Sequence, residues 1–205
     1  MRSLRIPIVW LLSATALSND NITSPKISWR QDDSSGRLSA LCNDVEIFTY
    51  QYSAQDALPH FWPLRSPTGK LLTLQQGEPY PHHRSLWIAD HIRAADGMTV
   101  DFYHWVKNYR DTANPSAGFR HFVRHHRFGV LEAQENRASV GIELRWIVDQ
   151  DRPVLDENRT VRLVALDDGE YLLDLAWELR AAYGPVQFVS DHVHYAWPYL
   201  RVHPH

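Results

Sequence analysis

The sequence predicts an all-β fold, most simply an antiparallel β-sandwich, and three observations carry that expectation. Apolar residues recur at every second position between Ala138 and Asp149, where Val140, Ile142, Leu144, Trp146 and Val148 alternate with residues that include Glu143 and Arg145. The same period runs through Arg159–Leu166, with Val161, Leu163 and Ala165 opposite Thr160 and Arg162, and through Tyr171–Ala181, with Leu173, Leu175, Trp177 and Leu179 opposite Asp174, Glu178 and Arg180. A period of two puts one face of each segment in a core and the other in water. The second observation is the turn chemistry of Asp167-Asp168-Gly169-Glu170, because Gly supplies positive φ and Asp tolerates it. The third is that no window longer than about two turns keeps the 3.6-residue period of an amphipathic helix.

Taken in order, residues 1–18 read as a secretory signal peptide: Arg2 and Arg5 precede the apolar stretch Ile6–Leu12, and Ala14-Thr15-Ala16 ends it with small residues. The competing reading is a first strand of the domain, against which Pro7 and the polar Ser18-Asn19-Asp20-Asn21 weigh. Residues 19–205 then form a single domain. Strands are expected around Leu38–Leu41 and Val45–Tyr52. The Pro- and Gly-punctuated segment His60–Gly69 reads as loops and short edge strands, where a missing amide does no harm. Asn108–Gly118 is a polar loop, and Val186–Tyr195 begins a further strand. The chain closes on Leu200-Arg201-Val202-His203-Pro204-His205, either an edge strand or the cut end of a longer product.

Composition narrows the function classes. Twenty-one Lys and Arg against 24 Asp and Glu leave a formal charge of −3, without the basic excess that binding a phosphate backbone requires, so no nucleic-acid partner is expected. No apolar run reaches the roughly 20 residues of a spanning helix. Cys42 is the only cysteine, so stability does not rest on internal disulfides, and a lone Cys most often serves as a small apolar filler. GxSxG, GxxxxGK[ST], HExxH and CxxC are all absent, which removes the main support for serine-hydrolase, P-loop, zincin and thiol-redox chemistry. Eight Trp, nine Tyr, seven Phe and twelve His supply ring faces and groups that titrate near neutrality.

Three clusters could carry chemistry. In Pro81-His82-His83-Arg84-Ser85-Leu86-Trp87, adjacent His side chains on an extended segment point to opposite sides, so one faces a pocket while the other packs. His83 is the candidate acid or base there, with His82, Arg84 and Trp87 as substrate-binding residues. In Asp191-His192-Val193-His194-Tyr195, His192 and His194 share one strand face. They suit either two ligands of a divalent metal or a sugar-site pair in which His194 is catalytic and His192 binds substrate. In His121-Phe122-Val123-Arg124-His125-His126-Arg127, positive groups gather without an acidic neighbour in sequence, as on a solvated strand.

The stretches Leu58–Gly69, Pro81–Trp87, Asp191–Tyr195 and Tyr199–Pro204 resemble a bacterial family labelled methane oxygenase PmoA-like, over roughly Val45 to His205. The chain departs from that pattern at Leu58, where a basic residue is usual, and at Pro79-Tyr80, where Asp-His is usual. The resemblance implies that further strands would follow His205 in a full-length relative. More distantly the family is similar to galactose-mutarotase-type supersandwiches, whose concave sheets hold sugars with His and carboxylates.

The function expected is therefore a secreted or periplasmic protein that processes carbohydrate by His-based acid–base chemistry in an open groove. A non-catalytic carbohydrate-binding module is the alternative, and metal-dependent oxidation, as the label implies, the third; no cofactor is specified. The export expectation has a direct check. Mass spectrometry of the natively produced protein should find its N-terminus near residues 17–19, whereas an intact Met1 in the cytoplasmic fraction would overturn it.

Overall fold

The computed structural model describes residues 4–12, 25–166, 169–189 and 197–204, the first of these segments by its backbone alone. In chain order the strands are β1 (Leu4–Leu12), β2 (Ile27–Asp32), β3 (Arg37–Cys42), β4 (Val45–Gln51), β5 (His60–Leu64), β6 (Leu86–Trp87), β7 (His91–Arg93) and β8 (Thr99–Asp101). After two short 3-10 turns, Trp105–Asn108 and Pro115–Ala117, come β9 (Phe122–Gln134), β10 (Arg137–Val148), β11 (Arg152–Ala165), β12 (Tyr171–Arg180), β13 (Gln187–Phe188) and β14 (Tyr199–Leu200). They form a five-stranded sheet β1-β12-β11-β10-β9, a six-stranded sheet β14-β6-β5-β4-β3-β2, and a small sheet β13-β7-β8, with all pairs antiparallel. The all-β sandwich expected from the alternation is the fold observed. No helix among the described residues is long and apolar enough to cross a membrane.

The meander β9–β12 follows from its sequence. Every inward position of β10 is buried, from Ala138 to Val148, and every outward one is at least partly wet. The β9–β10 and β10–β11 turns place Glu135, Asp149 and Gln150 at φ of 43°, 51° and 76°, left-handed conformations of the kind that tight hairpin turns use. The expected β11–β12 hairpin pairs Ala165 with Tyr171, and Gly169 takes φ 81° there; Asp167 and Asp168 lie outside the described residues. The backbone of Leu4–Leu12 runs along β12, from Leu4 opposite Leu179 to Leu12 opposite Tyr171. That pairing belongs to the uncleaved chain and leaves export to the N-terminal measurement.

Three expectations need correction. His60–Leu64 is not an edge strand: β5 lies inside the six-stranded sheet, and the β4–β5 ladder skips between Phe48 and Tyr50, a bulge that accommodates the missing amide of Pro63. β11 begins at Arg152 rather than Arg159, because its first inward positions beyond Leu155 carry Glu157 and Arg159, whose charges hide the apolar period. Two positive residues of this stretch do have acidic partners: Arg127 in β9 meets Glu143 at 2.7 Å, and Arg120, just before the strand, meets Asp149 at 2.7 Å. Of the strand expected over Val186–Tyr195, Gln187–Phe188 is observed and residues 190–196 lie outside the described set.

One apolar core fills the space between the two large sheets, with Leu38, Phe48, Tyr50 and Phe61 from one and Val140, Ile142, Trp146, Val161, Leu173 and Leu175 from the other. Glu157 and Arg159 sit inside it, their side chains fully covered and paired with each other. Glu157 Oε2 also accepts from Trp146 Nε1 at 2.8 Å, and Arg159 Nη1 donates to the Pro59 carbonyl at 3.4 Å, which ties one sheet to the other. Breaking such a pair strands a buried charge, at a typical cost of about 3–5 kcal/mol. Arg159→Met is therefore expected to lower stability by about that much in urea unfolding, and Glu157→Leu combined with Arg159→Met to recover most of it.

His60, at the start of β5, is 1% exposed and bonded to the Leu58 carbonyl at 3.2 Å and the Gln75 side chain at 3.0 Å. Burial, reinforced by the nearby Arg84, pushes its pKa down to about 3. The folded imidazole thus stays neutral where the unfolded one begins to take a proton, below about 6.5. Stability should fall with pH between about 6.5 and 3, by up to about 1.4 kcal/mol per pH unit for this proton. Urea midpoints measured across that range should fall less steeply in His60→Asn than in the parent.

Candidate functional site

The site grows from a turn. The Tyr80 amide donates to Gly77 at 2.9 Å and the His83 amide to Tyr80 at 3.0 Å, so Pro81-His82-His83 is coiled rather than extended. The two imidazoles consequently stand on the same side, ring centroids 4.5 Å apart, which corrects the expectation that adjacent His would diverge. Trp105 fastens this turn to the next segment by donating to the His82 carbonyl at 2.8 Å, while the Arg84 guanidinium lies 4.2 Å above the Trp105 ring.

His83 is 5% exposed and held from three sides. Tyr103 Oη lies 3.0 Å from Nε2, and Arg201 Nη2 lies 2.7 Å from Nδ1 and 3.1 Å from Nε2. A guanidinium can only donate, so the nearer nitrogen, Nδ1, accepts, and Nε2 carries the hydrogen toward Tyr103. Tyr80 stacks on the imidazole at 4.6 Å and is itself 50% exposed, with the Arg201 guanidinium 5.9 Å from its ring centroid. Burial first, and the Arg201 charge second, push the His83 pKa down to about 4. His82 is likewise pushed down to about 4, by burial and then by His104.

Arg201 arrives from the far end of the chain. β14 pairs Tyr199 with Trp87, and the next amide, that of Arg201, donates to Ser85 at 2.8 Å while its carbonyl accepts from Leu74 at 2.9 Å. Clamped on both edges, the backbone holds the guanidinium over the His83 turn.

The third contribution is the β7–β8 hairpin, which sets His91 opposite Asp101. Asp101 Oδ2 lies 2.9 Å from His91 Nε2, 2.8 Å from His104 Nδ1 and 3.4 Å from Lys107 Nζ. Its other oxygen accepts the His104 amide at 2.8 Å, holding the chain as it enters the Trp105–Asn108 turn. Burial raises the Asp101 pKa, but the His104 amide and the two imidazoles outweigh it and hold the carboxyl below its ordinary value. His104 reaches back to His82, centroids 4.5 Å apart, so turn and hairpin make one continuous cluster.

The structure thus brings His82 and His83 together on one side of the turn. It removes Trp87 and Arg84 from any open surface: Trp87 is 2% exposed between Tyr103 and Tyr199, and Arg84 is 3% exposed against Trp105 and Asp56. The open ring is Tyr80 and the arginine beside the imidazole is Arg201. His192 and His194 lie outside the described residues. Sequence reasoning missed His91, Asp101, Tyr103 and His104; a hairpin turn at Asp96-Gly97, where Gly97 has φ 85°, is the signal that places His91 across from Asp101.

Elsewhere, an open polar groove of about 430 Å³ lies over β2–β5, lined by Arg37, Ser39, Glu46, Thr49, Trp62 and Arg65 among others. Cys42 is partly buried, and burial pushes its thiol pKa up, away from nucleophile chemistry.

No curated protein and no solved structure matches the chain. A family model does, over residues 37–205, a span that includes both the His82-His83 turn and Arg201. The chain belongs to that family, described as a family of unknown function, DUF6807.

Proposed function

We propose that this is an exported carbohydrate-processing protein that moves protons at the His83–Tyr103 couple. The observation that carries the reading is the arrangement around His83: an imidazole joined to a phenol on one nitrogen and to a guanidinium on the other, beneath the half-exposed ring of Tyr80. Tyr80 offers the face on which the apolar side of a sugar stacks. Arg201 suits a carboxylate or hydroxyl of the substrate. With the guanidinium drawn onto an anionic group, His83 loses the positive neighbour that disfavours its protonation. The freed Nδ1 lone pair then takes a proton from the substrate and later returns it from the same nitrogen, while Nε2–H stays bonded to the Tyr103 oxygen and holds the ring in place. The resemblance to PmoA-like proteins and mutarotase-type supersandwiches, and the signal-like residues 1–18, support the same reading.

A second reading, a glycan-binding module without turnover, is favoured by the groove over β2–β5, where Trp62 lies among paired charges and hydroxyls. A glycan array and an activity screen on the purified chain separate the two. In the first case His83→Ala and Tyr103→Phe should each lower turnover by about 10²–10⁴ with the fold intact, and Tyr80→Ala should weaken binding by about 0.5–1.5 kcal/mol. In the second, Trp62→Ala should abolish glycan binding while His83→Ala leaves it unchanged. Neither binding nor turnover would remove the carbohydrate reading altogether.

A further inference from the structure

We infer that His91, Asp101 and His104 form a binding site for one divalent first-row transition-metal ion, set on the β7–β8 hairpin beside the His82-His83 turn. The geometry is specific. Two imidazoles from different elements direct ring nitrogens, His91 Nε2 and His104 Nδ1, at the same carboxylate oxygen, Asp101 Oδ2, at 2.9 and 2.8 Å. All three ligand atoms lie within 4.8 Å of one another. Bonds of about 2.0–2.2 Å to a shared ion need donors roughly 3–3.5 Å apart, so the set closes on a metal through small side-chain rotations.

The donor type selects the ion. Two neutral imidazoles and one carboxylate suit zinc, iron(II), manganese or nickel rather than calcium or magnesium, which prefer oxygen ligands. The surroundings agree with a metal centre. Asp90 Oδ1 stands 4.0 Å from His91 Nδ1, the nitrogen turned away from the proposed ion, beyond hydrogen-bond distance but near enough for a side-chain rotation to bring a carboxylate onto the ligating histidine. The three side chains are 15%, 17% and 24% exposed, so three protein ligands would leave a coordination position open toward solvent, as in catalytic rather than structural sites. Lys107, whose side chain is 65% exposed, is the flexible counter-charge that the cation would displace from Oδ2.

The site stands independently of the carbohydrate reading, because its readout is metal content and not turnover. The purified full chain is stripped with chelator, then titrated with Zn²⁺, with Co²⁺ as spectroscopic probe and Mg²⁺ as control. The expected result is about one equivalent of Zn²⁺ bound in preference to Mg²⁺, and a visible Co²⁺ spectrum. His104→Gln should weaken Zn²⁺ binding by at least about tenfold. Asp101→Asn should do the same while keeping an oxygen to accept the His104 amide, so that circular dichroism stays unchanged. X-ray absorption of the zinc-loaded parent, which needs no variant, should count two imidazoles. Absence of binding, or binding that both variants leave unchanged, would overturn the proposal. In the second case the ion sits elsewhere, and the Asp101 contacts only brace the hairpin.

Discussion

The charged pair inside the sandwich is the constraint on which the rest of this architecture depends. Glu157 and Arg159 occupy inward positions of β11, where neither can be solvated, so each must be satisfied by the other, by Trp146 and by the Pro59 carbonyl. That last bond reaches across the core to the residue before His60, and His60 pairs with Trp87 in the neighbouring strand. The position of the β5–β6 ladder, and with it the end of the His82-His83 turn, is thereby referenced to the opposite sheet. Hydrophobic contact alone is non-directional and would permit the sheets to slide; a hydrogen-bonded ion pair in a dry interior does not.

On that frame the candidate site is assembled from three separate pieces of chain. The turn brings two imidazoles together, the hairpin and the Trp105–Asn108 turn after it aim two more at Asp101, and the segment after β14 delivers a guanidinium. None of the three is a long element. Each is held by backbone bonds to its neighbours, such as Arg201 to Ser85 and Leu74, and by single polar anchors, such as Trp105 to the His82 carbonyl. Precision at the site therefore comes from loops fixed at both ends by sheet edges, an arrangement common where function resides in connections and stability in a scaffold.

How much of this was legible in the sequence follows the length scale of the physics. The β10 and β12 alternation is a local consequence of one wet and one dry face, and it reads directly from Val140 to Val148 and from Leu173 to Leu179. It failed at Glu157 and Arg159, where a pairwise electrostatic solution replaces apolar burial at inward positions. It failed at Pro63 because a bulge, where Trp62 and Pro63 stand against the single residue Thr49 of the neighbouring strand, makes room for a missing amide, and no local pattern announces it. His83 was legible as a chemically capable group in a turn-rich segment, but its partners were not. Tyr103 and Arg201 lie far from it in sequence, and only strand pairing brings them within hydrogen-bond distance. Trp87 and Arg84 were misplaced for a related reason: side-chain chemistry says what a residue can do, whereas exposure is decided by what the rest of the chain lays over it.

The pairing of β14 with β6 carries a consequence for how the molecule is assembled. Strands β9–β12 join neighbours through tight turns, so their contacts close short loops and incur little chain entropy. β14 instead joins a strand from which it is separated by that entire meander. A contact so distant in sequence closes a long loop at a larger cost in chain entropy than those of the meander, and residues 199–203 meet it by bonding on both sides, to Leu72–Leu74 and to Ser85–Trp87. Competence at His83 is a property of the finished sheet edge rather than of the core alone.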